Sequence, residues 1–254
     1  LRLSKLKITQ TALLLISAIS LTLYFLPAYS SIPISVDSKW SYCYKEKLVS
    51  GGKMVYEADE ELNYSVVGEK SGILIVELNR TFRHKHFSEG SAEFFVLNGS
   101  NIQLFFIDPQ KRMYHDGTYT SWWIPTNVFI GSLIPVWNLN FYVKGLLWTI
   151  IDGRLIECWV LEYRNAWEEY VILYERTSGI FIRLDIKRQM GLSQTLVIER
   201  RLRDAGRELP LQATLRPLLA IVGAFSAAAL LLRYARRIRR YLSRPREEHG
   251  PILT

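Results

Sequence analysis

At 254 residues, 49% hydrophobic and 22% charged, the chain is too apolar for general disorder and long enough for one large domain or two small ones. Its formal net charge of +8 sits at the two ends: residues 1–30 hold Arg2, Lys5 and Lys7 with no acid, residues 31–209 are close to neutral, and residues 210–254 set a run of arginines against Glu247 and Glu248. Basic residues beside apolar segments are the positive-inside signature of a membrane protein, so the composition points away from nucleic acid as a partner.

The first element is Ile8 to Leu26, free of charge and closed by Pro27, which makes about 28 Å of helix against a bilayer core of about 30 Å. Residues 1–30 therefore read as a signal peptide or an N-terminal transmembrane helix. Ala28-Tyr29-Ser30 supplies the small residues that a signal peptidase selects, and the short apolar heart from Ala12 to Leu26 favours cleavage after Ser30. Either way, the following residues are sent outward.

From about Asp37 to Arg203 the apolar residues recur with period two, and turn residues intervene every eight to twelve positions or so. The pattern predicts an all-β domain over residues 31–209: a curved antiparallel sheet, half-barrel or sandwich, of roughly nine to eleven strands. Trp40, Tyr42 and Tyr44 open the first strand on one face. Gly51-Gly52, Gly72, Asn98-Gly99, Asp116-Gly117, Asp152-Gly153 and Thr177-Ser178-Gly179 mark turns, the two Asp-Gly pairs being hairpin signals because both central residues of such turns need positive φ. Ile180, Ile182, Leu184 and Ile186 are expected to face inward, and Phe181, Arg183, Asp185 and Lys187 outward.

Within this region the acidic run Glu57, Asp59, Glu60 and Glu61 reads as a solvated strand face rather than a calcium loop, since no loop-forming glycine interrupts it. Asn63, Asn79 and Asn98 each open an Asn-x-Ser/Thr sequon and are candidate glycosylation sites in an extracellular domain. His84 and His86 would share a strand face, but two imidazoles beside Arg83 and Lys85 are too few ligands in too basic a setting, so no metal is expected. Cys43 and Cys158 are candidates for a disulfide, which an oxidising compartment allows; the alternative is two unpaired thiols.

The segment Tyr119 to Trp137 stands out for aromatic rather than ionisable residues. Trp122, Trp123, Phe129 and Trp137 either fill the sheet's core or line an apolar pocket as a flap. Ile124 to Val143 carries no charge, yet its prolines and asparagines would leave broken backbone pairing in lipid, which excludes it as a span.

The last element, Pro217 to Leu232, is uncharged over about 24 Å of helix and lies between Arg216 and Arg233, whose stems can extend along lipid. It is the expected transmembrane helix (residues 210–233), followed by an arginine-rich cytoplasmic tail (residues 234–254) that includes Arg236 and Arg237. Ala220, Ala224 and Ala228, with Gly223 and Ala227, form a small-residue ridge able to pack against another helix.

No Gly-rich phosphate loop, Gly-x-Ser-x-Gly elbow, His-Glu-x-x-His or Cys-x-x-Cys occurs, so neither catalytic residues nor a cofactor is assigned. The hairpin Tyr174 to Ile182, following Trp159-Val160-Leu161-Glu162-Tyr163, resembles the strand-turn-strand of extracytoplasmic lipoprotein-carrier (LolA-like) half-barrels. Asp116 to Pro125 is similar to segments of uncharacterised archaeal membrane-anchored surface proteins. The carrier resemblance implies a curved sheet over an apolar cavity that holds acyl chains, here without the long helix that plugs such a half-barrel.

The expectation is a non-enzymatic cell-membrane protein whose extracytoplasmic β domain binds a lipid, another apolar ligand or a surface protein. The alternatives are a structural or adhesive envelope protein and, third, a hydrolase with an unrecognised site.

Overall fold

The computed structural model describes residues 2–25, 34–87, 93–151, 153–204 and 211–242, in two compact units. The expected cleavage site at Ala28-Tyr29-Ser30 and the end of the basic tail lie outside the described residues, as does the side chain of Arg237.

The unit Pro27–Leu215 is one antiparallel sheet of eleven strands. These are β1 Lys39–Ser50, β2 Lys53–Lys70, β3 Ile73–Phe87, β4 Glu93–Asp108, β5 Met113–Tyr114, β6 Leu133–Val136, β7 Leu139–Ile151, β8 Arg154–Arg164, β9 Glu168–Glu175, β10 Phe181–Gln189 and β11 Gln194–Asp204. Spatial order is β5-β4-β3-β2-β1-β11-β10-β9-β8-β7-β6: two meanders of sequential hairpins joined by β1 pairing with β11.

Alternation along each strand gives the sheet a curved inner face and an outer face. Trp40 and Tyr42 are buried on the inner face of β1, opposite Tyr64 and Leu62 of β2. The core runs on through Val76 and Leu78, Ile107, Phe141 and Val143, Leu161, Ile172 and Tyr174, and Leu184. On the outer face cross-strand ions pair: Lys45 with Asp59 at 3.7 Å, Lys47 with Glu57 at 3.2 Å, and Arg203 with Glu61 at 2.8 Å. Such exposed pairs contribute about 0–1 kcal/mol each, so burial of the inner face holds the sheet.

Positive φ at Gly52, Gly72, Gly117, Gly153 and Gly179 bears out the turns expected there. Asn98-Gly99 is a correction, because it lies inside β4 and makes no turn. The Phe82 ring rests where a Cβ on Gly99 would stand, so this glycine serves close ring approach. On β10, a register shift between Phe181 and Arg183 puts Phe181 and Leu184 on the inner face, opposite Tyr174 and Ile172, so the expected alternation holds only from Leu184 onward.

The sheet is open between β5 and β6, yet one residue spans the gap. Tyr119 forms isolated bridges with Met113 on one side and Trp137 on the other, exchanging N–H···O bonds of 3.2 and 2.9 Å with Trp137. The chain then runs as a strap, residues 118–124, across one end of the inner face. Phe181 N donates to Trp122 O (2.8 Å) and Ile124 N to Gly179 O (2.9 Å), while the Tyr174 hydroxyl donates to Ser121 O (3.0 Å).

The strap is clamped from below by Arg112. This buried side chain has no carboxylate partner among the described residues; it donates to the carbonyls of Trp123 (2.9 Å), Pro135 (3.3 Å) and Thr120 (3.5 Å). A guanidinium with five fixed donors suits three converging carbonyls as no other side chain does.

The helical unit contains α1 Arg2–Phe25 and, from Arg216 on, α2 Leu211–Leu242, which extends past the expected span through Arg233, Arg236 and Arg239. The stretch Leu215–Arg236 is long and apolar enough to cross a membrane. Arg233 and Arg236 are exposed and Arg216 is buried. Ser17 and Ser20 on α1 and Gly223 and Ser226 on α2 are buried, and a Cβ on Gly223 would stand 3.5 Å from that of Ser20. The small-residue ridge thus meets α1 of the same chain through Gly223, while Ala224 and Ala228 are exposed.

Candidate functional site: the trough of the half-barrel

The strap divides the inner face into a filled end and an accessible end. At the filled end Trp122 stands among Tyr64 (centroids 5.0 Å), Trp40 (5.3 Å), Phe105 (5.7 Å) and Tyr114 (5.8 Å), all four contacts edge-to-face. Trp123 is buried beside it, bridging to Ile180. Burial pushes the Tyr114 phenol up to about 12.

The four candidate pocket residues therefore have different places. Trp122 and Trp123 fill the half-barrel instead of lining a space, which is the role the long helix plays in the carrier resemblance. Trp137 is half-buried against Phe141 (6.1 Å) and Tyr170 (6.4 Å). Phe129 is 67% exposed, in a turn where Ser132 Oγ donates to its carbonyl at 2.6 Å. A flat aromatic-rich segment signals burial or a pocket equally well in a sequence; the Arg112 clamp, invisible there, fixes which end is filled.

Past the strap, Tyr44 on β1, Phe82 on β3, Tyr163 on β8 and Ile198 on β11 point inward and are only half-covered, with no second layer of strands opposite them among the described residues. A polar cluster lies on the β1–β3 side. Glu60 is buried and receives Arg80 through Nε (2.7 Å) and Nη2, and its Oε1 is 2.9 Å from His84 Nε2. Beside it the Tyr44 hydroxyl donates to Glu46 Oε2 at 2.5 Å, and burial, aided by Glu46, raises the Tyr44 phenol well above its ordinary value. On the β9–β10 side Arg188 pairs with Glu168 (2.6 Å) and donates to the Tyr170 hydroxyl (2.7 Å).

This cluster corrects the reading of the acidic run as a single solvated face. Period two sends Glu57, Asp59 and Glu61 outward to lysines and an arginine and Glu60 inward to Arg80 and His84. His86 is exposed, its ring 5.0 Å from Tyr56, and no group of three metal-binding side chains occurs among the described residues.

Between the polar cluster and the filled end lies Arg200, opposite Tyr44 on β1 and Leu184 on β10. Its guanidinium carbon is 4.5 Å from the Tyr42 ring centre, 5.2 Å from Phe181 and 5.5 Å from Tyr64. The sequence reading missed it because nothing in Ile198-Glu199-Arg200-Arg201 tells which arginine points inward.

Both cysteines are free, a correction to the possible disulfide. Cys43 on β1 and Cys158 on β8 have β11, β10 and β9 between them, and Cys158 is fully buried, which drives its thiol far above the usual range. Asn63, Asn79 and Asn98 are all exposed and line outer-face clefts, the first two a cleft of 350 Å³ and Asn98 one of 420 Å³. Asn63 and Asn79 stand directly opposite on β2 and β3.

No protein-family model matches the sequence, and no curated protein matches it. Among solved structures, the S-type phycobiliprotein lyase of Guillardia theta is similar at 9% identity and a TM-score of 0.26, covering 73% of this chain and 96% of its own. A hypothetical protein of Chlamydia trachomatis gives 10% and 0.24, covering 72% and 98%. An exported protein with a YmcC-like fold from Bacteroides fragilis gives 8% and 0.26, covering 66% and 96%. Scores of this size establish neither a shared fold nor a shared ligand.

Proposed function

We propose that this chain is a non-enzymatic, membrane-anchored protein whose extracytoplasmic β domain holds an apolar ligand in the open part of its trough. The observation that carries this reading is the half-covered inner face at Tyr44, Phe82, Tyr163 and Ile198, apolar surface that a filled sandwich would have packed away. The span Leu215–Arg236 supports the anchor, and the arginines that follow support a cytoplasmic tail.

Native mass spectrometry of the full chain, released from micelles before and after organic extraction, tests it. A lipid-sized mass that extraction removes is the expected result. A bare protein mass, unchanged after incubation with membrane extract, sinks the ligand reading and leaves the structural or adhesive one. That second reading draws support from the exposed outer row Ile102, Leu104 and Phe106 on β4 and from the exposed sequons.

The contact between Ser20 and Gly223 favours retention of α1 in the mature protein over cleavage after Ser30, since α2 would otherwise keep a small-residue face with nothing packed on it. The expected intact mass of protein purified from its membrane includes α1, Arg2–Phe25. A mature chain starting at Ser31 would refute the pairing.

A further inference from the structure

Among the described residues, Arg80, Arg112, Arg188 and Arg200 are inward-facing arginines, and the first three have their charge answered. Arg80 has Glu60, Arg188 has Glu168, and Arg112 has three backbone carbonyls. Arg200 differs. Its one hydrogen bond is from Nη2 to the Tyr64 hydroxyl at 2.9 Å, its Nε is buried without a hydrogen-bond partner, and no carboxylate among the described residues lies within ion-pair distance. The faces of Tyr42, Phe181 and Tyr64 around it attract the cation but offer Nε no acceptor.

A guanidinium cannot shed its proton at any physiological pH, and an uncompensated charge in an apolar setting is costly. The residue as a whole is nevertheless of intermediate burial, between the half-covered Tyr44 and Ile198 on its own face of the sheet. The missing partner is thus an acceptor that arrives through the open part of the trough.

Building on the ligand reading above, we propose that Arg200 receives the carboxylate of a single-chain amphiphile, such as a long-chain fatty acid, whose tail lies along the half-covered inner face. One cation without a second beside it matches a monoanion. A phosphate dianion would leave a net negative charge among aromatic rings. Of the other inward cations, Arg80 and Arg188 are already neutralised by Glu60 and Glu168, and Arg112 is engaged by the carbonyls of the strap and of Pro135.

The test uses the delipidated full chain in non-ionic detergent, titrated with oleate and with methyl oleate and read by native mass spectrometry and tryptophan fluorescence. The expected result is a preference for oleate of about tenfold or more, the scale of one charge-assisted hydrogen bond. Arg200→Leu should abolish that preference, bringing oleate down to the affinity of methyl oleate, and Arg200→Lys should keep part of it. The ligand-free Arg200→Leu protein should be at least as resistant to denaturant as the native one, since it loses an unanswered charge.

Equal affinity for acid and ester, or a preference that survives in Arg200→Leu, would overturn the assignment while sparing the trough. Binding of neither probe would overturn both. If Arg200→Leu does not fold, the acid-to-ester ratio of the native chain and of Arg200→Lys decides.

Discussion

Replacing Arg112 by Met is expected to destabilise the β domain by about 3–4 kcal/mol, among the largest effects of any single substitution in this chain. The side chain volume survives, but the carbonyls of Trp123, Thr120 and Pro135 lose their only recorded side-chain donor, the first two while staying buried. A buried acceptor left without a partner costs about 1–3 kcal/mol, and the three share one clamp, so their losses come together. Denaturant unfolding followed by tryptophan fluorescence reads the effect, since Trp122 and Trp123 leave the core with the strap. Arg112→Lys should recover less than half of the loss, because one ammonium cannot reach carbonyls from two separate segments in one plane. A change below about 1 kcal/mol in Arg112→Met would show that the strap is held by its tryptophans alone.

Gly179→Ala is the second large effect, expected to cost about 3 kcal/mol or more. Gly179 has φ +73, and a Cβ there would collide with the carbonyl oxygen of Ile124, the residue whose N–H bonds to Gly179 O. The hairpin leaves little room to yield. The buried Glu175 carboxylate accepts from Thr177 N at 2.7 Å and from Ser178 N and Oγ at 2.5 and 2.6 Å. Gly72→Ala is the control, since φ there is +78 with nothing within 4 Å, and its cost should stay at about 1 kcal/mol. Equal losses at the two positions, measured by thermal unfolding, would mean that backbone conformation alone matters and the approach of the strap does not.

Much of the sheet was legible because its signals are local. Trp40, Tyr42 and Tyr44 alternate within one strand, and Gly72, Gly117 and Gly153 occupy turns that demand positive φ. What was not legible depends on partners distant in sequence. Asn98-Gly99 looks like a turn until Phe82, on the neighbouring strand, is seen to occupy the space above it. The tryptophan segment carried no periodicity, and its fate as a plug is set by Arg112, Gly179 and the Tyr174 hydroxyl. Glu60 and Arg200 have unremarkable neighbours in the chain. Their inward direction follows from register, which a run of mixed charges does not specify.

That register has a bearing on the order in which the protein is made. Strands β1–β5 and β6–β11 are each a succession of neighbouring hairpins, able to pair as they emerge, whereas β1 must wait for β11 before its second edge is covered. During synthesis the first meander therefore stands with Tyr42 and Cys43 on an unshielded border while well over a hundred residues follow, a long exposure for so aromatic a strand. Completion comes only with Gln194–Asp204, the last segment before α2. The final stitch in the sheet and the emergence of the apolar helix α2 thus fall in the same interval of translation.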